Sequence, residues 1–388
     1  MADIVRRHGD HVLETHRAWV TGQHRRVLRA IAQCRTAALG GHRDRCDQCA
    51  QTALSYNSCR DRHCPKCLTA ARNEWVAARE QELLPVGYVH LVFTVPEPLA
   101  RLALANKRVV YDLLFRATAA TLLQVAVNPK HLGAAIGGLM VLHTWGQRLQ
   151  HHPHVHCVVP AGGLAPDGTR WIHARPAFFL PVKVLRQVFR GKLVAGLRAA
   201  FHEGRLAFPG ALQALATEPA FRAWLRALYR QPWVVYAKPP FGSPSHVLHY
   251  LARYTHRVAI SNHRLVAVTA DTVSFRWKDY RHGSQICTLA LDIDEFLRRF
   301  LLHVLPKRFV RIRYFGFLAS RARTRGLDQC RQALAVAPTP PAEPLGTAPP
   351  RASWPCPRCG APMRIVERLT PRQLFLEVFL ADIGYDSS

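Results

Sequence analysis

Two Cys-x-x-Cys pairs, Cys46/Cys49 and Cys64/Cys67, stand fourteen residues apart near the start of the chain. This spacing limits the possible folds more than any other feature. Each pair can close a tight turn that aims two thiolates at one ion, and the gap suits a small tetrahedral zinc site with four thiolate ligands, Cys46, Cys49, Cys64 and Cys67. Cys34, His42, Cys59 and His63 lie in the same stretch. They can serve a second zinc or replace a member of the first, and spacing alone leaves both open. In a reducing compartment such clusters hold metals rather than disulfides. The interleaved Arg43, Arg45, Arg60 and Arg62 favour contact with DNA over a purely folding role. A last pair, Cys356/Cys359, supplies half of a site. Its partners either come from elsewhere or the pair is free.

The charge balance fits a polyanionic partner. There are 53 Lys+Arg against 25 Asp+Glu, a net charge of +28 over 388 residues, which points to nucleic acid without specifying fold or chemistry. Only eight of the basic residues are lysine. Arginine's planar fork suits bidentate phosphate contact, although GC-rich codon usage produces the same bias. A hydrophobic content of 49% excludes a disordered chain. No apolar run of membrane-spanning length is evident, and Met1 to Asp10 lacks a signal-peptide core. The reading is a cytoplasmic protein with no membrane partner, nucleoid-associated when acting.

Composition and periodicity divide the chain. Residues 1–84 read as a helical and zinc-binding domain, with an amphipathic basic helix from Val12 through Cys34 and another from Leu68 to Leu84 that stops before Pro85. From residue 85 to 330 strands and helices mix. Strands are expected at Tyr88–Val95, Gly138–Trp145, His154–Pro160, Trp233–Ala237, 263–269, 272–278 and 309–315. Helices are expected at Leu99–Val127, over much of 183–229, at Ser245 to about His256 and near 293–304. Antiparallel hairpins with segregated helices indicate α+β rather than doubly wound α/β. Residues 331–355 are a Pro-rich linker, and 356–388 a short tail bearing the last CxxC.

The central stretch, His151 to Gly163, reads HHPHVHCVVPAGG. In a strand, residues two apart share a face, so His154 and His156 can converge on one ion while Val155 and Cys157 face the core. His143 falls on the preceding strand of the expected hairpin, where it can reach the same face across the ladder. Three imidazoles leave coordination positions open for a phosphate oxygen. On the helix around SHVLHYLARYTHRVAI, Tyr250 and Tyr254 lie four residues apart on one face. Arg253 and Arg257 form an adjacent stripe able to hold phosphates or favour a phenolate. In FRWKDYRHG, Phe275 and Trp277 are either stacking surfaces for bases or core positions of a strand.

The stretches CRTAALGGH (Cys34 to His42), YNSCRDRHCPKC (Tyr56 to Cys67), VLHTWGQRLQHHPHVHCVVPAGG (Val141 to Gly163) and YLARYTHRVAISNHR (Tyr250 to Arg264) resemble the IS91-type transposases. These are similar to members of the HUH superfamily (histidine, hydrophobic residue, histidine), which includes rolling-circle replication initiators and conjugative relaxases. The resemblance implies a ferredoxin-like or RRM-like antiparallel sheet bearing the histidine pair, with flanking helices and a nucleophilic tyrosine on a helix beside it. It puts the motif on His154, Val155 and His156, the two-tyrosine pattern on Tyr250 and Tyr254, and the third ligand on His143 by the relaxase spacing. In other branches the tyrosine helix supplies that ligand, which makes His246 or His249 the rival.

The activity implied by the resemblance is that of a single-strand DNA endonuclease and strand transferase. His143, His154 and His156 would hold Mg²⁺ or Mn²⁺, zinc would be structural, and a tyrosine would attack to leave a 5′-phosphotyrosine. Joining would then need no nucleotide cofactor. The partners would be single-stranded DNA at the element's ends and at its target, with Arg60, Arg62, Arg253 and Arg257 as candidate phosphate contacts. Two other readings are a rolling-circle replication initiator or relaxase, and a non-catalytic zinc-dependent DNA-binding protein.

Overall fold

The computed structural model describes residues 1–80, 82–176, 178–241, 259–280, 282–335 and 354–382. The chain separates into two compact units, one of residues 1–68 with 338–388 and the other of residues 69–337.

The first unit opens with α1 (Ala2–Thr15) and α2 (Gly22–Gln33). These replace the single helix expected from Val12 to Cys34. The break falls at Thr21, whose Oγ1 accepts from the His24 amide while His24 Nδ1 accepts from the Thr21 amide, a reciprocal cap that starts α2 afresh. Val12, Val27, Leu28 and Ile31 bury the apolar stripes of the two helices. Next come β1 (Gly41–Cys46) and β2 (Thr52–Tyr56), an antiparallel pair. Gly40 adopts φ +72° where a Cβ would lie 2.7 Å from the Leu369 carbonyl oxygen, so only glycine fits between the strands there.

α3 (Cys67–Glu80) leads into the second unit, whose frame is a five-stranded antiparallel sheet. Its strands are β3 (Tyr88–Thr94), β4 (Gly137–Trp145), β5 (His151–Pro160), β8 (Val234–Phe241) and β12 (Ile312–Gly316), in the order β12-β4-β5-β3-β8. Between them lie α4 (Glu97–Ala105), α5 (Lys107–Val127), α6 (Val182–His202), α7 (Glu218–Leu228) and a small ribbon of β6 (Gly162–Leu164) with β7 (Trp171–His173). Strand alternation divides the sheet's faces. Leu91 and Phe93, Met140 and Leu142, and Val155 and Cys157 enter the main core with α4 through α7. Leu139, Val141 and Val158 on the opposite face pack with Trp171, Leu327 and Cys330.

α5 is long and apolar enough to cross a membrane on length and composition, which corrects the expectation of no such run. Its Tyr111, Leu114, Phe115 and Leu122 are buried in the main core, so its apolar character fills the space beneath the sheet. At its start the Lys107 ammonium donates to the carbonyls of Leu302 and Val304, and burial lowers its pKa to about 8.

A second antiparallel sheet comes next, in the order β11-β10-β9, from β9 (Leu265–Val268), β10 (Thr272–Asp279) and β11 (Gln285–Asp292). α8 (Ile293–Leu302) covers it, with Phe296 against Phe275 at 5.8 Å between ring centroids. α9 (Arg323–Ala333) closes the unit through Leu327 and Cys330.

The end of the chain then returns to its beginning. β13 (Met363–Leu369) pairs antiparallel with β1 from Gly41↔Leu369 to Cys46↔Met363, making β1 the central strand of a sheet ordered β13-β1-β2. α10 (Pro371–Asp382) is the last helix. The expected separate tail at 356–388 is therefore part of the N-terminal unit. Composition identified the prolines before it but carried no sign of a strand partner on the far side of the chain. The unit boundaries also fall at 68 and 337 rather than 84 and 330.

Candidate functional site

The β4–β5 hairpin brings three histidines to one end of the sheet face opposite the main core. His143 pairs directly with His154, and Val141 with His156. The hairpin turn occupies residues 146–150, and His151 and His152 begin β5. Pleating then directs His143, His154 and His156 to one side, and their ligand nitrogens all lie within 4.8 Å of one another. Ring centroids are 4.3 Å apart for His143–His156 and 4.9 Å for His154–His156.

Hydrogen bonds fix these rings. His154 Nδ1 donates to the His152 carbonyl at 2.7 Å, which leaves Nε2 as its lone-pair nitrogen. His156 Nδ1 shares a 2.8 Å hydrogen bond with Nε2 of His90 on β3. His143 stacks on Trp145 at 4.3 Å and 21°. Burial lowers the pKa of His154 to about 3 and holds His156 well below its ordinary value, with His143 adding to the effect on His156. Neutral imidazoles held this way present lone pairs as metal ligands do. The all-nitrogen donor set fits a transition-series divalent ion such as Mn²⁺ better than Mg²⁺. Sequence reasoning missed His90. It sits alone on β3, and only the β3–β5 ladder reveals its neighbour.

The histidines line a cleft of about 620 Å³ together with Arg148, Gln150, Trp277, Lys278, Tyr280 and His282. The Arg148 guanidinium lies 5.0 Å over the Trp277 ring. Phe275 is fully buried, a core position, whereas Trp277 opens to the cleft. Arg264 braces the wall, donating to the carbonyls of Arg276 and Gln147 at 2.7 and 2.5 Å. Beneath the turn, His303 Nε2 donates to the Leu149 carbonyl at 3.0 Å while its Nδ1 pairs with Thr144 Oγ1. His151 Nε2 meets the Tyr111 hydroxyl at 2.8 Å. Tyr250, Tyr254, Arg253, Arg257, His246 and His249 lie outside the described residues.

The first unit groups its cysteines differently from their spacing. Cys34, Cys59, Cys64 and Cys67 form one cluster, and Cys46, Cys49, Cys356 and Cys359 another. The expected set of Cys46, Cys49, Cys64 and Cys67 is thus divided between two places, because β1 and β2 carry the first pair away from the second. In the first cluster Cys34–Cys67 and Cys59–Cys67 are each 3.5 Å between sulfurs. Four thiolates about 2.3 Å from a tetrahedral zinc have edges of about 3.8 Å, close to this packing. A hydrogen bond from Cys59 moves Cys64 toward its thiolate form. His63 and His42 belong to neither cluster. His63 Nδ1 meets Asp61 at 2.9 Å, and His42 lies 3.5 Å from Asp44. Arg60 is exposed at a positive φ of 52° beside the first cluster, and Arg62 is half-buried.

Residues 4–95 match the family described as "Transposase zinc-binding domain", and residues 137–325 the family described as "Putative transposase". The "Putative transposase y4qJ" of Sinorhizobium fredii is 54% identical over 343 residues, covering 88% of this chain and 86% of that one. The "Transposase for insertion sequence element IS801" of Pseudomonas savastanoi pv. phaseolicola is 31% identical over 323 residues, covering 81% and 75%. The chain belongs to the IS91-type transposase family, and residues 4–95 carry the zinc-binding domain of that family.

Proposed function

We propose that this transposase cuts and rejoins single-stranded DNA at the ends of its element in a rolling-circle pathway, by the chemistry of the HUH superfamily. The observation that carries the reading is the cleft in which His143, His154 and His156 share one wall with Arg148, Trp277 and Lys278. An unpaired strand offers bases to stack and phosphates to neutralise, and this cleft supplies an aromatic face and two cations beside three imidazoles.

His143, His154 and His156 would hold a divalent ion, Mn²⁺ or Mg²⁺, which would supply polarisation of the scissile phosphate and neutralise charge developing on it. Arg148 and Lys278 guide the backbone, and Trp277 stacks a base beside the cut. The hydroxyl oxygen of Tyr250 or Tyr254 attacks phosphorus in line, its proton passing to solvent. The P–O3′ bond breaks as the O–P bond forms, leaving a 5′-phosphotyrosine and a free 3′-OH. The bond's energy stays in the covalent link, so a 3′-OH can reverse the step on a new strand without a nucleotide cofactor. The Cys34, Cys59, Cys64 and Cys67 cluster holds a structural zinc.

The test is an adduct assay on labelled single-stranded oligonucleotides from the element's ends. Wild-type protein with Mn²⁺ is expected to give a denaturation-resistant protein–DNA band. The Tyr250→Phe/Tyr254→Phe double variant should give none, and persistence of the band in that variant would overturn the assignment.

A further inference from the structure

The second cysteine cluster is assembled from the two ends of the chain. Cys46 ends β1 and Cys49 lies just beyond it, Cys356 and Cys359 precede β13, and the two strands pair so that Cys46 stands opposite Met363. Across the cluster Cys46–Cys359 is 3.4 Å and Cys49–Cys356 is 3.6 Å between sulfurs, with all four within 4.8 Å of one another.

The two halves have the same backbone shape. In the first, the Ala50 amide donates to the Cys46 carbonyl at 3.1 Å and the Cys46 amide to the Gln51 carbonyl at 2.9 Å. In the second, the Gly360 amide donates to the Cys356 carbonyl at 2.9 Å and the Cys356 amide to the Ala361 carbonyl at 2.7 Å. The residue after the second cysteine is left-handed in both, with φ 54° at Ala50 and 76° at Gly360. Alanine at a positive φ is strained, and a turn keeps that conformation when something else fixes it. The Arg358 amide also points at Cys356 Sγ at 3.4 Å, an arrangement that favours thiolate over thiol. The Cys64/Cys67 turn differs, because it runs directly into α3. Each half of the second cluster is therefore the other's structural counterpart, and two such turns facing each other across a strand pair place four sulfurs at tetrahedral edges.

We infer that Cys46, Cys49, Cys356 and Cys359 bind a second zinc ion, which joins the C-terminal segment to the N-terminal domain independently of the site formed by Cys34, Cys59, Cys64 and Cys67. Four thiols lose their protons to solvent and four Zn–S bonds form, with no change of oxidation state. Met363 and Ala361 shield the ion on the protein side. Residues 354–369 thereby complete a domain whose family match ends at residue 95. The inference does not depend on the tyrosine chemistry proposed above.

Full-length protein purified under reducing conditions separates the outcomes. A thiol-directed mercurial releases zinc from thiolates and leaves histidine-bound metal in place, and a chelating dye counts what is released. Two zinc ions per wild-type chain are expected, and one in Cys356→Ser/Cys359→Ser, with amides of β13 losing protection from hydrogen exchange. Cys359→His, which offers an imidazole in place of a thiolate, should keep both ions. This variant and the wild-type count decide the matter even where the double serine variant folds poorly. Release of only one ion from wild-type protein would overturn the inference, as would two ions from the double serine variant or a Cys46–Cys359 disulfide in the purified chain.

Discussion

Nε2 of His90 and Nδ1 of His156 lie 2.8 Å apart across the β3–β5 ladder, with their rings parallel to within 12°. Burial lowers the pKa of His90 to about 4, so both rings are neutral and one donates to the other. The tautomer in which His156 donates from Nδ1 is the one that leaves its Nε2 lone pair for a metal ion. Partners of this kind are typically worth ~10–100-fold in metal affinity. His90→Ala is expected to raise the Mn²⁺ concentration for half-maximal strand cleavage by about that factor and to keep the rate at saturating metal. A Mn²⁺ titration identical to wild type would sink the positioning role.

Removing the stacking surface should separate binding from chemistry. Trp277→Ala is expected to weaken single-strand binding by ~1–3 kcal/mol, the usual contribution of one stacked base. Arg148→Ala should weaken it too and flatten the dependence of log K on log salt by about one phosphate contact. Fluorescence anisotropy over a salt series reads both effects. Unchanged binding by both variants would place the DNA elsewhere.

Acid should destabilise the fold in a defined window. Burial lowers the pKa of His151, His154 and His303 to about 3 and that of His90 to about 4. In the unfolded chain each titrates near ~6.5. Below that value the unfolded state takes up protons that the folded state refuses, so stability falls as pH drops. Each such histidine removes about 1.4 kcal/mol per pH unit. Glu295, whose pKa the Arg298 and Arg299 guanidiniums hold down to about 2, adds its loss only below about pH 4.5. Thermal melts of metal-free protein between about pH 7 and 5 should show a steadily falling Tm, and a flat profile would contradict the buried neutral histidines.

Separate substitution of the tyrosines should divide their labour. Tyr250→Phe and Tyr254→Phe are each expected to leave one covalent adduct detectable and to abolish joining of the cleaved end to a second strand. Efficient joining by either single variant would show that one tyrosine suffices.

The histidine hairpin was legible in the sequence because its determinants are local. Alternation through Val155 and Cys157 sets the face, and a five-residue turn brings His143 opposite His154. Phe275 and Trp277 remained undecided because their exposures depend on α8 and on the cleft, neither of which the period-2 pattern specifies. β1, with the sequence GHRDRC, has no apolar alternation to mark it as a strand. The cysteines were misgrouped for a related reason. Spacing identifies which two sulfurs share a turn, but Cys49 finds Cys356 307 residues later. That pairing is set by β1–β13 register, which a local pattern does not carry.

The β13-β1-β2 arrangement also imposes an order on synthesis. A ribosome adding ~5–20 residues per second delivers Cys356 about 15–60 s after Cys49. Throughout that interval β1 has an unpaired edge and two waiting thiols, while the whole histidine-bearing unit emerges between them. A chain interrupted anywhere before β13 therefore leaves β1 without its second strand partner and the cluster of Cys46 and Cys49 without Cys356 and Cys359, so damage far downstream in the sequence reaches the fold of the N-terminal unit.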